Sequence, residues 1–410
     1  MPIRIDTSSD NRQDLRIADE LFAAGKFNEA EPVYMQVGAS HLDAYVSTRL
    51  GHLALLGNQL KEARYWLTRA CELDPESAWA HALLAEAYYR ADDFANAARR
   101  FRALRRDALA QKLEGFAGLT PYELDSPAAV AILPWTASEP LPVVQTWING
   151  HKANLIIDTG AGELVLDKEF ARTAGVTDGD VEQGSFAGGR LSLVRHGRVD
   201  TVTLDAFNVH HVPVQTVEIE PLFAPFFPDM PVHGIIGSVL LYHFSPTLDY
   251  PGRALVLRAV TPLAGADTEL RATGAEHALV PFWLAGDHYM VAWGTINQEY
   301  STMMFIDTGM AGAAFAAPRS TAQDAGLRLS RGPRETGYGG GGAVRTVPFS
   351  VDALQLGEVC QRHLTGMMLD AFPLEHQFGF RIGGLLAHDF FHQYVVDIDF
   401  ARMTLTLSST

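Results

Sequence analysis

Apolar positions along this chain follow two different periods. From about residue 11 to 116 they recur at helical spacing, in blocks of 33 or 34 residues marked by the small residues Ala30, Ala63 and Ala97. The clearest block carries Leu50-Gly51, Ala54, Leu67, Ala70 and Pro75, and the next carries Leu84-Ala85, Tyr88 and Phe101. This predicts three repeats of paired helices behind a polar leader at 1–10, with a last helix near Ala108 to Phe116 as a cap. Such a stack buries a continuous core and leaves a concave face.

Proline then punctuates the chain at Thr120-Pro121, Ser126-Pro127, Pro134 and Ser138-Glu139-Pro140, so residues 117–140 read as a linker. Beyond it the period falls to that of strands. Val143 to Trp147 and Ala153 to Ile157 predict a hairpin closed by Asn149-Gly150.

This β-rich part is written twice. Leu155-Ile156-Ile157-Asp158-Thr159-Gly160 returns 149 positions later as Met304-Phe305-Ile306-Asp307-Thr308-Gly309. Gly234-Ile235-Ile236-Gly237 returns as Gly384-Leu385-Leu386-Ala387, and Leu248-Asp249-Tyr250 as Ile398-Asp399-Phe400, both 150 positions on. Two lobes follow, at 141–262 and 275–410. An apolar run ending in Asp-Thr-Gly predicts a buried strand entering a tight turn, where Gly permits positive φ and close backbone approach and the Asp is left at the strand end.

Strand, Asp-Thr-Gly, a Gly-rich segment and then an apolar-apolar-Gly signature, present twice over roughly residues 128 to 410, resemble the aspartic peptidases. The short lobes are more similar to the retropepsin branch than to pepsin. The helical blocks resemble tetratricopeptide repeats. Together these imply a multidomain α and β protein: an α-helical tetratricopeptide-type array followed by a bilobal all-β aspartic-peptidase fold with pseudo-two-fold symmetry. By the same resemblance Asp158 and Asp307 are the catalytic pair, Thr159 and Thr308 brace the two turns, and Gly160 and Gly309 let the loops meet. Two carboxylates about 3 Å apart cannot both ionise, so one serves as base and one as acid toward water and the scissile carbonyl.

The Gly-rich segments Gly184 to Gly189 and Gly337 to Gly342 are candidate flaps, with Phe186, Gly188, Tyr338 and Gly339 as substrate-binding candidates. Phe223 and Phe372 sit in Pro-constrained apolar loops that either form side-chain pockets for an extended peptide or pack against the rest of the protein. Ala387 stands where the family signature has Gly.

The remaining chemistry is soon bounded. A net charge of −16 without a clustered basic patch excludes a nucleic-acid partner. No run of eighteen apolar residues predicts a membrane span and no apolar leader segment predicts export, which makes the cytoplasm the expected location. Cys71 and Cys360 read as buried thiols in different domains. His388 and His392 read as surface or capping histidines and His210-His211 as strand neighbours on opposite faces, so neither a metal nor another cofactor is expected. The expected partner is a peptide or protein substrate. The repeats serve either as a docking surface for a peptide or protein or as a packing and homodimerising module. The alternative function is a non-catalytic peptide-binding scaffold built from the repeats and a peptidase-like clamp.

Overall fold

The computed structural model describes residues 7–186, 190–260, 277–330, 335–339 and 342–409, and the chain divides into two compact units. One unit is Met1–Ala117 together with the short segments Leu284–Gly286 and Leu374–Ile382. The other holds the rest of the chain.

Among the described residues the first unit has seven α-helices: α1 (Thr7–Ala23), α2 (Phe27–Ser40), α3 (Ala44–Leu56), α4 (Leu60–Leu73), α5 (Ala78–Tyr89), α6 (Phe94–Ala103) and α7 (Asp107–Glu114). Local chemistry sets their ends. Asp43, Ser77 and Asp93 cap α3, α5 and α6 by accepting the N–H of Val46, Ala80 and Asn96. Gly25, Asn58 and Asp92 take positive φ after α1, α3 and α5, and the next residue's N–H reaches back five positions, Lys26 to Leu21, Gln59 to Ala54 and Asp93 to Tyr88. That turn lets each helix pair fold back on itself. Ala30, Ala63 and Ala97 are fully buried where the paired helices approach. A Cβ on Gly51 would lie 2.5 Å from the Leu67 side chain, so α3 and α4 pack closer than an alanine would permit.

Leu374–Ile382 joins this unit through Phe380, whose ring meets Phe27 edge-on at 4.9 Å and Phe22 at 6.1 Å, and through the Arg381 N–H bond to the Ala23 carbonyl. Arg90, 2 % exposed, donates to the carbonyls of Leu55, Leu284 and Gly286 and pairs with Glu86.

The second unit is β-rich and bilobal. A six-stranded antiparallel sheet joins its lobes, with the strands in the order Val130–Ala137, Ala254–Ala259, Phe244–Asp249, Tyr394–Asp399, Thr404–Ser409, His277–Ala285. Each lobe contributes three, arranged as mirror sequences about the Leu248–Val396 pairing. Val130–Ala137 lies inside the stretch 117–140 read as a linker, and Glu123–Asp125 forms a second strand there. Pro134 is accommodated because its strand is outermost in this sheet.

Both lobes repeat the same hairpin. Asn149 and Gly150 have φ of 48° and 80°, and Asn297 and Gln298 have 52° and 63°. The two Asn side chains repeat their contacts as well. Asn149 accepts the N–H of Asp200 and Thr201, and Asn297 that of Asp352 and Ala353.

Candidate active site

Each Asp-Thr-Gly turn is held by a parallel strand pairing that a hairpin alone would not provide. Leu155, Ile156 and Ile157 pair with Gly234, Ile235 and Ile236, while Met304 to Asp307 pair with Gly384 to Ala387. The Asp158 N–H donates to the Ile236 carbonyl at 3.0 Å. The apolar-apolar-Gly signature is therefore the strand that carries the turn. The glycines on both sides of its apolar pair are needed for space, since a Cβ on Gly234 would lie 2.3 Å from the Val165 carbonyl oxygen and one on Gly237 2.2 Å from that of Gly162.

The two turns meet face to face. The Thr159 N–H donates to the Thr308 hydroxyl at 3.0 Å, and the Thr308 N–H to the Thr159 hydroxyl at 3.1 Å. Each hydroxyl donates onward across the lobe boundary, Thr159 to the Ile306 carbonyl at 2.9 Å and Thr308 to the Ile157 carbonyl at 3.2 Å. Four hydrogen bonds thus match three buried polar groups from each lobe with no water required.

Gly160 and Gly309 close the arrangement. A Cβ on Gly309 would stand 2.0–2.3 Å from the Asp158 carboxyl, and one on Gly160 would stand 2.4–2.7 Å from that of Asp307. Neither glycine takes a positive φ, so of the two reasons anticipated for Gly here only close approach applies. Each carboxylate also accepts an N–H from its own turn, Gly160 to Asp158 at 2.7 Å and Gly309 to Asp307 at 2.9 Å.

Asp158 and Asp307 lie within hydrogen-bonding reach of each other. Burial raises both carboxyls above the usual range. For Asp158 this is opposed by the bond to Asp307 and by the N–H groups of Gly160, Ala161 and Gly309. For Asp307 the negative charge and hydrogen bond of Asp158 add to burial and lift it well above the ordinary value. Two buried carboxyls this close disfavour each other's ionisation, so both hold protons more strongly than isolated carboxyls do.

Residues that sequence reasoning missed lie around this pair. Burial, then the charges of Asp287, Asp158, Asp307 and Glu163, push the Tyr289 hydroxyl far up. Burial with Asp389 and Asp307 does the same to Tyr250. Tyr289 sits in none of the repeated motifs and Tyr250 closes the repeated Leu248-Asp249-Tyr250, where the other lobe has Phe400, and only tertiary folding brings either near the carboxyls.

The substrate-binding candidates fare variously. Phe223 packs at the edge of a core cluster that includes Leu141, Val143, Ile156 and Ile235, beside Ala161 and Ala311. Phe372 is half-buried just before the short helical turn Pro373–Glu375. Phe186, Tyr338 and Gly339 lie on hairpin strands, opposite Arg190, Ala343 and Gly342, and Gly188 is outside the described residues.

Three side expectations are corrected. Cys360 is exposed, because its place on the strand Val359–Leu369 turns it outward, whereas Cys71 is buried. His388 is fully buried rather than at the surface, since the short helix His388–Phe391 turns it inward. His211 drops out of the strand ladder with φ of 55°, so alternation does not separate it from His210; His363 repeats this in the other lobe with φ of 56°. Ala387 is accepted in place of Gly, fully buried with its N–H on the Ala314 carbonyl.

No helix among the described residues is long and apolar enough to cross a membrane. Residues 144–240 and 292–390 each match the family model described as aspartyl protease, and residues 51–92 match that described as TPR repeat. No curated protein sequence matches the chain. Among solved structures, basic 7S globulin from soybean is similar at 12 % identity and a TM-score of 0.38, over 71 % of this chain and 96 % of that one. The chain carries two copies of an aspartyl protease domain and, toward its N-terminus, a TPR repeat.

Proposed function

We propose that the β-rich unit is an aspartic endopeptidase that cleaves an extended peptide or protein segment, with Asp158 and Asp307 as its catalytic pair. The observation that carries this reading is the meeting of the two carboxyls, one from each lobe, in a buried setting that raises both. Asp158 takes a proton from a water whose oxygen attacks the scissile carbonyl carbon. Asp307 gives its proton to the carbonyl oxygen, and the product is a neutral gem-diol. Collapse breaks the C–N bond as Asp158 passes its proton to the leaving nitrogen and a gem-diol hydroxyl returns one to Asp307. No covalent enzyme intermediate is formed.

The flap hairpins, with Phe186, Gly188, Tyr338 and Gly339, are the proposed covers for bound substrate. Phe223 and Phe372 are its proposed side-chain contacts. The helical array is the proposed dock for substrate or a partner, and Trp79, Tyr65 and Met35 are exposed apolar residues available on it.

Incubating a diverse peptide library with the wild type and with Asp307→Asn, then reading the products by mass spectrometry across acid to neutral pH, tests the reading. Cuts present in the wild type and missing from the mutant support it. Identical product patterns, or no cuts at any pH with the library or with proteins captured by the array, would favour the scaffold alternative.

A further inference from the structure

The lobes part company at the residue after the closing signature. In lobe one this is Ser238, whose N–H donates to the Ala161 carbonyl and whose hydroxyl donates to the Thr159 carbonyl at 2.8 Å. In lobe two the same backbone position, with its N–H on the Met310 carbonyl, is occupied by His388. That side chain is 0 % exposed, and neither ring nitrogen makes a hydrogen bond of normal geometry, although the Ser138 backbone is close. Leaving a buried polar atom unpaired costs about 1–3 kcal/mol, and in native proteins such atoms are commonly accounted for by a water or an ion.

The surroundings of His388 supply the rest of a ligand set. His392 follows four residues later, with its ring centroid 4.3 Å away and the planes nearly perpendicular. Glu139 approaches from the loop between the strands Val130–Ala137 and Val143–Ile148. One ligand atom from each of the three lies within 4.8 Å of the other two. Asp389 Oδ1 is 4.0 Å from His392 Nε2, placed to orient that imidazole after a small rotation. An edge-to-face contact between the two imidazoles does not by itself satisfy their nitrogens.

We propose that Glu139, His388 and His392 form a binding site for a divalent transition-metal cation of the zinc class. Two imidazoles and one carboxylate suit a borderline cation, whereas calcium and magnesium favour all-oxygen shells. Bonds of about 2.0–2.2 Å in a tetrahedron require ligand atoms roughly 3.3–3.6 Å apart, so the set must contract on binding. His388 is the fixed point. Glu139 is exposed and the His392 side chain is 37 % exposed, which leaves both free to swing inward. Three protein ligands leave a fourth position for water or an incoming group. The cation ties the loop that leads into lobe one to the lobe-two helix that follows Ala387, and so pins the two lobes together beside the turn containing Met310.

The test uses the full-length protein, stripped of metal with a chelator and titrated with Co2+ by visible absorption and with Zn2+ by calorimetry. One cation per chain is expected, with the d–d bands of a four-coordinate nitrogen and oxygen site. His392→Ala and Glu139→Gln should each weaken binding by about tenfold or more. Both positions are solvent-accessible, so the metal-free variants should unfold at the wild-type temperature. Asp307→Asn should bind as the wild type does. Absence of saturable one-to-one binding would overturn the proposal, as would affinities unchanged in both ligand variants or an affinity lost in Asp307→Asn, which would put the cation on the carboxyl pair.

Discussion

Thr159 and Thr308 each hold the other's backbone: the N–H of one donates to the hydroxyl of the other at 3.0 and 3.1 Å, in both directions. Because the hydroxyls also donate to Ile306 and Ile157, removing one leaves an N–H and a carbonyl without partners in a buried site. Thr159→Val and Thr308→Val are each expected to cost about 1–3 kcal/mol by chemical denaturation. The double mutant should cost less than the sum, with a coupling of about 0.5–3 kcal/mol. Strict additivity would mean that the reciprocal bonds do not act as a unit.

The raised carboxyls have consequences of opposite sign for activity and stability. Activity should need one proton on the pair, giving a bell-shaped profile whose alkaline limb lies above the usual carboxylate range. Asp158→Asn and Asp307→Asn should each reduce cleavage by about 10²-fold or more. For stability, a carboxyl whose folded pKa exceeds its unfolded value of about 3.8 keeps its proton better when folded. It favours folding at low pH, and that contribution is lost as pH rises through the folded pKa. Asp307→Asn should therefore melt above the wild type at neutral pH, with the gap closing below about pH 4. A melting difference that did not change with pH would contradict the assigned burial.

Space at the two turns admits only glycine. Gly309→Ala places a methyl on the Asp158 carboxyl at 2.0–2.3 Å, nearer than the 2.4–2.7 Å that Gly160→Ala imposes on Asp307. Each should cost about 1–3 kcal/mol as overpacking, with Gly309→Ala the worse and cleavage lost in both. A Gly309→Ala variant with wild-type stability would show that the turn has room the geometry denies.

Arg90 provides a contrast between buried and exposed charge. Arg90→Met removes three carbonyl contacts and the ion pair with Glu86, for an expected loss of about 3–5 kcal/mol in urea unfolding. Arg102 makes contacts to Glu114 and Asp107 at the surface, and Arg102→Ala should unfold within error of the wild type. Equal effects at the two sites would remove the distinction.

The two thiols should separate by rate. An aromatic disulfide reagent should titrate Cys360 at once and Cys71 only on unfolding, since one is exposed and the other buried with its thiol raised by burial. Loss of the fast phase in Cys360→Ser identifies it.

What the sequence determined by itself was whatever is encoded locally or by repetition. The 33- to 34-residue spacing of Ala30, Ala63 and Ala97, the Asn149-Gly150 turn and the two Asp-Thr-Gly copies were legible because spacing, turn chemistry and duplication survive without coordinates. Tertiary structure alone decided the rest. Pro134 marked a linker by composition, yet its strand joins the shared sheet, because an outermost strand can spare an N–H. Leu374–Ile382 belongs with the helices through Phe380, and no local pattern announces a partner hundreds of residues away. The approach of Asp158 to Asp307, and that of Glu139 to His388 and His392, depend on distance and burial, which residues remote in sequence acquire only when the chain has folded.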